Sequence, residues 1–415
     1  MKISVIVLCY NNYHINNVVD EIEKQLNSGD ELFIVDDHSN EAVRTLLARY
    51  DGTNVKVITP QTKGNRSANR NLAANMSSGE LLVFVDGDVL LADDAIELVK
   101  DFDYSGVSGL CGSVAAMRMT PEAISIATHD YFDEINIDSI NFDSWHKLFP
   151  DFRNDKMLLA WNRFYTAFSV IPRDAFYNAG CFDESFIGWG GEDIDLGYRL
   201  LKQGKLLISR DIRAVHIPHS RNIPQEEING RKNMYKMLEK YRNREMEELI
   251  SFALTPYITE GINAVLERLQ TVNDDNAISS ISNQAMVYYA ASAQNPNGKI
   301  AYYDNNEECV EEYLGVALPF SDCYFETVVT TTAIFDYPEG LATRILQELL
   351  RVSKKVEIAK VAPRCIEWGK IENVFKYVFC YHKTYLFADS YQDFHIKDCD
   401  SYYLIESALN RTNLD

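Results

Sequence analysis

Leu81-Leu82-Val83-Phe84-Val85-Asp86-Gly87-Asp88 is an apolar run that stops at two carboxylates flanking a glycine. Five apolar residues in succession, closed by a polar turn, read as a strand buried on both faces. The same grammar repeats upstream. Residues 3–8 read as a strand, and residues 14–26 as a helix with Ile15, Val18, Val19, Ile22 and Leu26 at helical spacing. Residues 31–35 form a second strand running into Asp36-Asp37-His38-Ser39; then come a helix over 41–49, a short strand over 55–58 and a helix over 67–76. This βαβαβαβ order predicts an α/β fold with a mostly parallel, Rossmann-like sheet covered by helices. In such sheets the functional loops gather at the carboxyl ends of the strands. Asp36-Asp37 and Asp86-Gly87-Asp88 both stand at such ends.

The chain has 415 residues, 46% of them hydrophobic, which is long for one domain and enough for two cores. Its net charge of −21 argues against a nucleic-acid partner, because phosphate backbones need a basic field. A nucleotide ligand survives that argument, since a bound divalent ion offsets a diphosphate in an acidic protein. The first apolar run ends at Asn11-Asn12, too short to span a bilayer and without a small-residue cleavage site. With no long apolar stretch elsewhere, the expectation is a cytoplasmic protein with no transmembrane segment. The eight cysteines are scattered without a CxxC pair, which fits reduced thiols better than a zinc site or disulfide framework.

Periodicity weakens over residues 117–159, read as an insertion lining a site, and returns from 164 through 219. The expected division is a first domain over 1–245, a helical linker over 246–275 and a smaller C-terminal α/β domain over 276–415. In that last part, 299–303, 327–335, 355–361 and 402–405 read as strands and 340–352 as a helix.

Several clusters carry chemistry. Asp86 and Asp88 can approach one cation from both sides of Gly87, with hard oxygens suited to Mg²⁺ or Mn²⁺ and room at the glycine for a phosphate oxygen. Asp36 and Asp37 suit a base or ribose contact, or equally an N-cap, a role open to Ser39 and Asn40 too. Gly64 and the helix start after it favour an anion; Arg70 either reaches a diphosphate or pairs with Asp86. Gly188-Trp189-Gly190-Gly191-Glu192-Asp193-Ile194-Asp195 runs from a glycine-flanked aromatic into an acidic helix start. Trp189 offers a flat apolar face to a sugar ring. A helix N-terminus favours ionised carboxylates, the state a general base needs, although Glu192 and Asp195 also read as capping residues. His216 and His219 lie close enough to complete a metal shell begun by Asp88, or are packed residues.

These strings together resemble a known family. Tyr10-Asn11-Asn12, Val35-Asp36-Asp37-His38-Ser39, Gly64…Ala68-Asn69-Arg70-Asn71 and Asp86-Gly87-Asp88 are similar to family-2 glycosyltransferases of the GT-A fold. The stretch from Ile171 to Arg221, through Gly188–Asp195 and Ile217-Pro218-His219-Ser220-Arg221, resembles the C-terminal module of animal β-1,4-galactosyltransferases. The resemblance covers roughly the first 240 residues. It implies an inverting, metal-dependent transfer of a hexose or N-acetylhexosamine from a UDP-sugar to a hydroxyl of a glycan, glycolipid or glycoprotein acceptor. It implies donor contacts from Tyr10, Asp36, Asp37, Gly64, Arg70, Asp86, Gly87, Asp88, Trp189 and Gly190, with Asp36 on uridine and Asp86 near ribose and diphosphate. Mn²⁺ (or Mg²⁺) would lie on Asp88 and His219, with Asp86 and with His216 where the galactosyltransferases have methionine. Asp193 would be the catalytic base, with Glu192 beside it, and Trp189, Glu192 and Asp193 would meet the acceptor. Ile194 replaces an acidic residue of that family, which leaves acceptor preference open.

Residues 315–329 and 348–352 resemble the middle of a class-I methyltransferase, but a glycine-rich cofactor loop is missing and 290–298 is a poor substitute. The expected C-terminal domain is therefore degenerate, used for acceptor binding or as the surface of a homodimer. Two other readings remain: a bifunctional transferase–methyltransferase, distinguished by S-adenosylmethionine binding, and a non-catalytic sugar-binding protein, distinguished by failure to release UDP.

Overall fold

The computed structural model describes residues 1–116, 156–158, 161–217, 219, 223–243, 246–247, 285–290, 298–337, 339–360, 393–398 and 402–408. The expected site-lining insertion (117–159), apart from 156–158, and the expected linker (246–275), apart from 246–247, lie outside those residues. The chain divides into two compact units, Met1–Asn233 and Met234–Asp415. Among the described residues no helix is long and apolar enough to cross a membrane.

The first unit runs β1 (Ile3–Cys9), α1 (Ile15–Gln25), β2 (Glu31–Asp36), α2 (Glu41–Leu47), β3 (Val55–Ile58), α3 (Arg66–Met76), β4 (Leu81–Asp86) and β5 (Val89–Leu91). It continues with α4 (Ala95–Asp101), β6 (Val107–Ala116), β7 (Lys156–Leu158), β8 (Phe168–Pro172), α5 (Arg173–Asn178), α6 (Glu192–Leu201), β9 (Lys205–His216) and α7 (Ile223–Tyr241). The division between units falls within α7.

Among the described residues its strands form one sheet in the order β3-β2-β1-β4-β8-β6-β9-β5, with β7 on β9. The α/β class is as expected from the sequence. Parallel pairing holds across β3-β2-β1-β4 and between β6 and β9, whereas β8 pairs antiparallel with both β4 and β6, so the whole sheet is mixed. β1 sits between β2 and β4, which explains its continuous apolar composition: both faces are covered. On one face α1 buries Ile15, Val18, Val19 and Ile22 against a core that includes Val5, Val7, Ile34 and Val83. The register Cys9↔Asp36 and Leu8↔Asp86 then sets the ends of β1, β2 and β4 in one row. Asn40, not Asp36 or Asp37, caps α2, accepting from the Val43 N–H at 3.1 Å. Such a cap is worth about 1 kcal/mol.

The second unit carries β10 (Ala285–Tyr289), β11 (Lys299–Asp304), β12 (Glu307–Glu311), β13 (Phe325–Thr331), α8 (Glu339–Arg351), β14 (Ser353–Ala359), β15 (Asp393–Asp398) and β16 (Tyr402–Ala408). Its seven strands follow the order β12-β11-β10-β13-β14-β16-β15. A fully buried Glu348 is held there by Arg351 at 2.6 Å and Arg344 at 3.3 Å. The poor substitute for a cofactor loop (290–298) falls mostly outside the described residues.

Candidate active site

Asp86 ends β4 and Asp88 precedes β5, so Gly87-Asp88 is a two-residue turn, with Gly87 against β1. A Cβ on Gly87 would collide with the Leu8 carbonyl oxygen, and the Asn12 carboxamide donates to the Gly87 carbonyl. The glycine thus answers to the close approach of β1. β5 pairs antiparallel with the end of β9, Val89 opposite His216, and the Ile217 N–H donates to the Asp88 carbonyl at 2.8 Å. That short ladder carries a carboxylate and two imidazoles together from distant parts of the chain. His219 Nε2 lies 3.1 Å from Asp88 Oδ2 and His216 Nε2 lies 3.6 Å from Asp88 Oδ1.

One ligand atom from each of Asp88, His216 and His219 falls within 4.8 Å of the others, a span one ion can bridge. All three side chains keep some solvent access, which leaves coordination positions for a ligand. The donor set therefore fits a divalent ion. Two imidazoles favour Mn²⁺ over Mg²⁺, which prefers oxygen donors and retained water. Burial tends to raise the Asp88 carboxyl, but the His219 hydrogen bond and the two histidines outweigh it and hold the group below the usual range.

Asp86, expected among the metal ligands, turns away from this cluster. Its Oδ1 accepts from Arg70 at 2.9 Å, and the other arm of Arg70 reaches Glu192 Oε1 at 3.2 Å. Arg70 is only 3% exposed and lies over the Phe182 ring. It is consumed by carboxylates rather than presented to a diphosphate, so the pairing alternative is the observed one. Helix α3 is fixed for this purpose. Asn65 caps it at the Ala68 N–H (3.0 Å), and Asn71 exchanges hydrogen bonds with the Phe182 backbone at 2.9 and 3.0 Å.

Glu192 and Asp193 open α6 after Gly191, whose φ of +97° only glycine adopts readily. Glu192 is buried on Arg70, a charge-balancing partner instead of an open catalytic group. Burial pushes the Asp193 carboxyl up to about 7, helped by the Glu192 charge and resisted by Arg70. The helix-dipole expectation of a firmly ionised aspartate is thereby corrected: desolvation outweighs the dipole. A base that titrates near neutrality suits proton abstraction better than an ordinary aspartate. Asp195 is fully buried and pairs with Arg199 at 2.6 Å; Arg199 in turn donates to the Cys181 carbonyl at 2.6 Å, pinning the turn before the loop.

Trp189 is exposed, and its neighbour Gly190 offers its carbonyl to Asn233 Nδ2 at 2.6 Å. Asn233 was not singled out in the sequence, and Asn71 entered only as the end of the Gly64…Asn71 string with no role of its own. Only their polar type at a buried position distinguishes them, and burial is not legible locally.

The expected nucleotide contacts divide. Asp36 is 1% exposed and accepts the Ser39 N–H at 3.0 Å, so it faces the turn and not an open site where uridine would lie. Asp37 accepts the Gly64 N–H at 2.9 and 3.0 Å, occupying the amide expected to greet an anion. Tyr10 is exposed, with the Lys63 ammonium 4.8 Å above its ring, and remains open to a planar ligand.

Residues 4–177 match the family model described as glycosyl transferase family 2. The first part of the chain is thus similar to family 2 glycosyltransferases. Residues 150–220 also match the model described as N-terminal domain of galactosyltransferase. The first match holds Arg70, Asp86 and Asp88; the second holds Trp189, Asp193, His216 and His219. The chain is 30% identical over 207 residues to validoxylamine A glucosyltransferase of Streptomyces hygroscopicus, covering 46% of this chain and 49% of the relative. The chain thus spans about half the length of that relative. It is 31% identical over 147 residues to poly(ribitol-phosphate) beta-N-acetylglucosaminyltransferase TarP of Staphylococcus aureus, covering 32% of this chain and 44% of TarP. The solved structure of S. aureus TarS with UDP-GlcNAc aligns over 64% of this chain and 80% of that chain, with TM-score 0.46 and 15% identity.

Proposed function

We propose that the chain is an inverting, metal-dependent glycosyltransferase moving a hexose or N-acetylhexosamine from a UDP-sugar to a hydroxyl of a glycan, glycolipid or glycoprotein. The observation that carries this reading is Arg70, which ties Asp86, two residues from the Asp88–His216–His219 cluster, to Glu192, adjacent to Asp193. A metal half and a base half are thereby fixed to one another. The named activities of the relatives, glucosyl and N-acetylglucosaminyl transfer, support a hexose or N-acetylhexosamine donor.

Asp88, His216 and His219 would hold Mn²⁺, which would supply positive charge against the departing diphosphate. Trp189 supplies an apolar face for a sugar ring. Asp193 accepts the proton of the acceptor hydroxyl as its oxygen attacks the anomeric carbon. The bond from that carbon to the diphosphate oxygen breaks as the glycosidic bond forms on the opposite face, so configuration inverts. Arg70 keeps Asp86 and Glu192 neutralised beside Asp193, which limits how far the pKa of the base rises. The second unit is assigned acceptor binding or self-association, with no methyl-transfer step.

Asp193→Asn tests the assignment. Transfer is expected to fall by several orders of magnitude while calorimetry still detects UDP-sugar binding in Mn²⁺. Turnover at the wild-type rate would remove Asp193 from the reaction.

A further inference from the structure

The loop ahead of Asp193 has an unusual backbone requirement. Gly188, Gly190 and Gly191 stand at φ +81°, +85° and +97°, on both sides of Trp189. A glycine-rich segment of this kind loses much conformational entropy when fixed. Something outside the loop must hold it, and α7 supplies three residues on one face for the task. The Asn233 carboxamide, 5% exposed, donates from Nδ2 toward the carbonyls of Gly190 (2.6 Å), Ile187 (3.2 Å) and Trp189 (3.4 Å). Asn229 packs on Gly188 so closely that a Cβ there would lie 2.5 Å from its Nδ2. Gly230 lies under the Trp189 ring, where a Cβ would sit 3.2 Å from Cζ3.

We infer that the Asn229–Gly230–Asn233 face of α7 is a clamp that sets the Trp189 loop, with Asn233 a positioning residue for acceptor binding. Trp189 is left 39% exposed, with Gly230 of α7 against one part of its ring. The indole is therefore backed by Gly230, and the depth of that glycine fixes where a sugar ring stacks. The loop leads directly into Glu192 and Asp193, so the same clamp sets the distance between the stacked ring and the base. The acceptor role rests on the proposed glycosyltransferase reading; the clamp itself does not.

The experiment separates the two. Acrylamide quenching of tryptophan fluorescence is measured on the full chain without substrate, for wild type, Asn233→Ala and Gly230→Ala, with Trp189→Phe combined with each to isolate the Trp189 share. Gly230→Ala keeps the fold testable, since alanine favours the helix while crowding the ring. Both variants are expected to change quenching of Trp189. Both are also expected to raise the acceptor KM by about tenfold, the scale of one or two lost hydrogen bonds, with Mn²⁺-dependent UDP affinity unchanged. Unchanged quenching in Asn233→Ala overturns the clamp whatever the activity. Altered quenching with unchanged acceptor KM overturns the acceptor role. If no UDP-sugar is turned over by wild type, the glycosyltransferase reading fails and quenching alone still decides the clamp.

Discussion

Replacing Asp193 by asparagine has a consequence for stability opposite in direction to its consequence for turnover. The carboxyl is pushed from an ordinary 3.8 to about 7, chiefly by burial and secondly by Glu192. A carboxyl whose pKa is raised by folding contributes its full stability below the unfolded value and loses it as pH rises through the folded value. The window therefore runs from about pH 4 to above pH 7. A gap of roughly three, at about 1.4 kcal/mol for each tenfold in acidity, gives a cost on the order of 4 kcal/mol for keeping Asp193 ionised. Asparagine occupies the same space without the charge. Urea unfolding followed by tryptophan fluorescence should find Asp193→Asn more stable than wild type at about pH 8, by up to about 4 kcal/mol, and level with it at about pH 4. The kcat/KM of wild type should rise toward neutrality and flatten above about 7 as the base ionises. A variant that is less stable at pH 8 would refute the electrostatic reasoning, as would a wild-type rate that is flat from pH 5 to 8.

Three further outcomes follow from the same geometry. Asp88→Ala should abolish the Mn²⁺ dependence of UDP binding in calorimetry, and identical affinity with and without the substitution would remove Asp88 from the metal site. Arg70→Met leaves the buried Glu192 unpaired and should cost about 3–5 kcal/mol in urea unfolding; a loss below about 1 kcal/mol would mean the pair is not buried as described. Gly87→Ala drives a methyl into the Leu8 carbonyl and should destabilise the first unit by about 1–3 kcal/mol, visible as earlier amide exchange in β1 and β4, whereas an unchanged exchange pattern would contradict the tight turn.

The α/β unit was legible because β1, β2 and β4 are continuous apolar runs separated by amphipathic helices, and such patterns are local. The antiparallel β8 and the pairing of β5 with β9 were not, because they depend on which distant segments meet. β5 is three residues long, and only its ladder reveals why His216 and His219 face Asp88. The histidines stood out in the sequence as candidate partners of Asp88, and the ladder supplies the physical reason they meet it. Charges were read least well. Asp36, Asp37, Arg70 and Asp86 all stood out as ligand contacts. All four are engaged with backbone amides or each other: Asp36 with Ser39, Asp37 with Gly64, and Asp86 with Arg70. A buried polar network and an open binding site use the same residue types, and sequence spacing does not separate them.

The central claim is a divided site, with the leaving group held on Asp88, His216 and His219 and the acceptor activated by Asp193. Its most direct test is UDP release measured across a panel of UDP-sugars and hydroxyl acceptors, with Mn²⁺ and with chelator. Release is expected with at least one UDP-hexose or UDP-N-acetylhexosamine, dependent on acceptor and lost when Mn²⁺ is removed. Release that persists in chelator, or none from any donor with Mn²⁺ present, would contradict it.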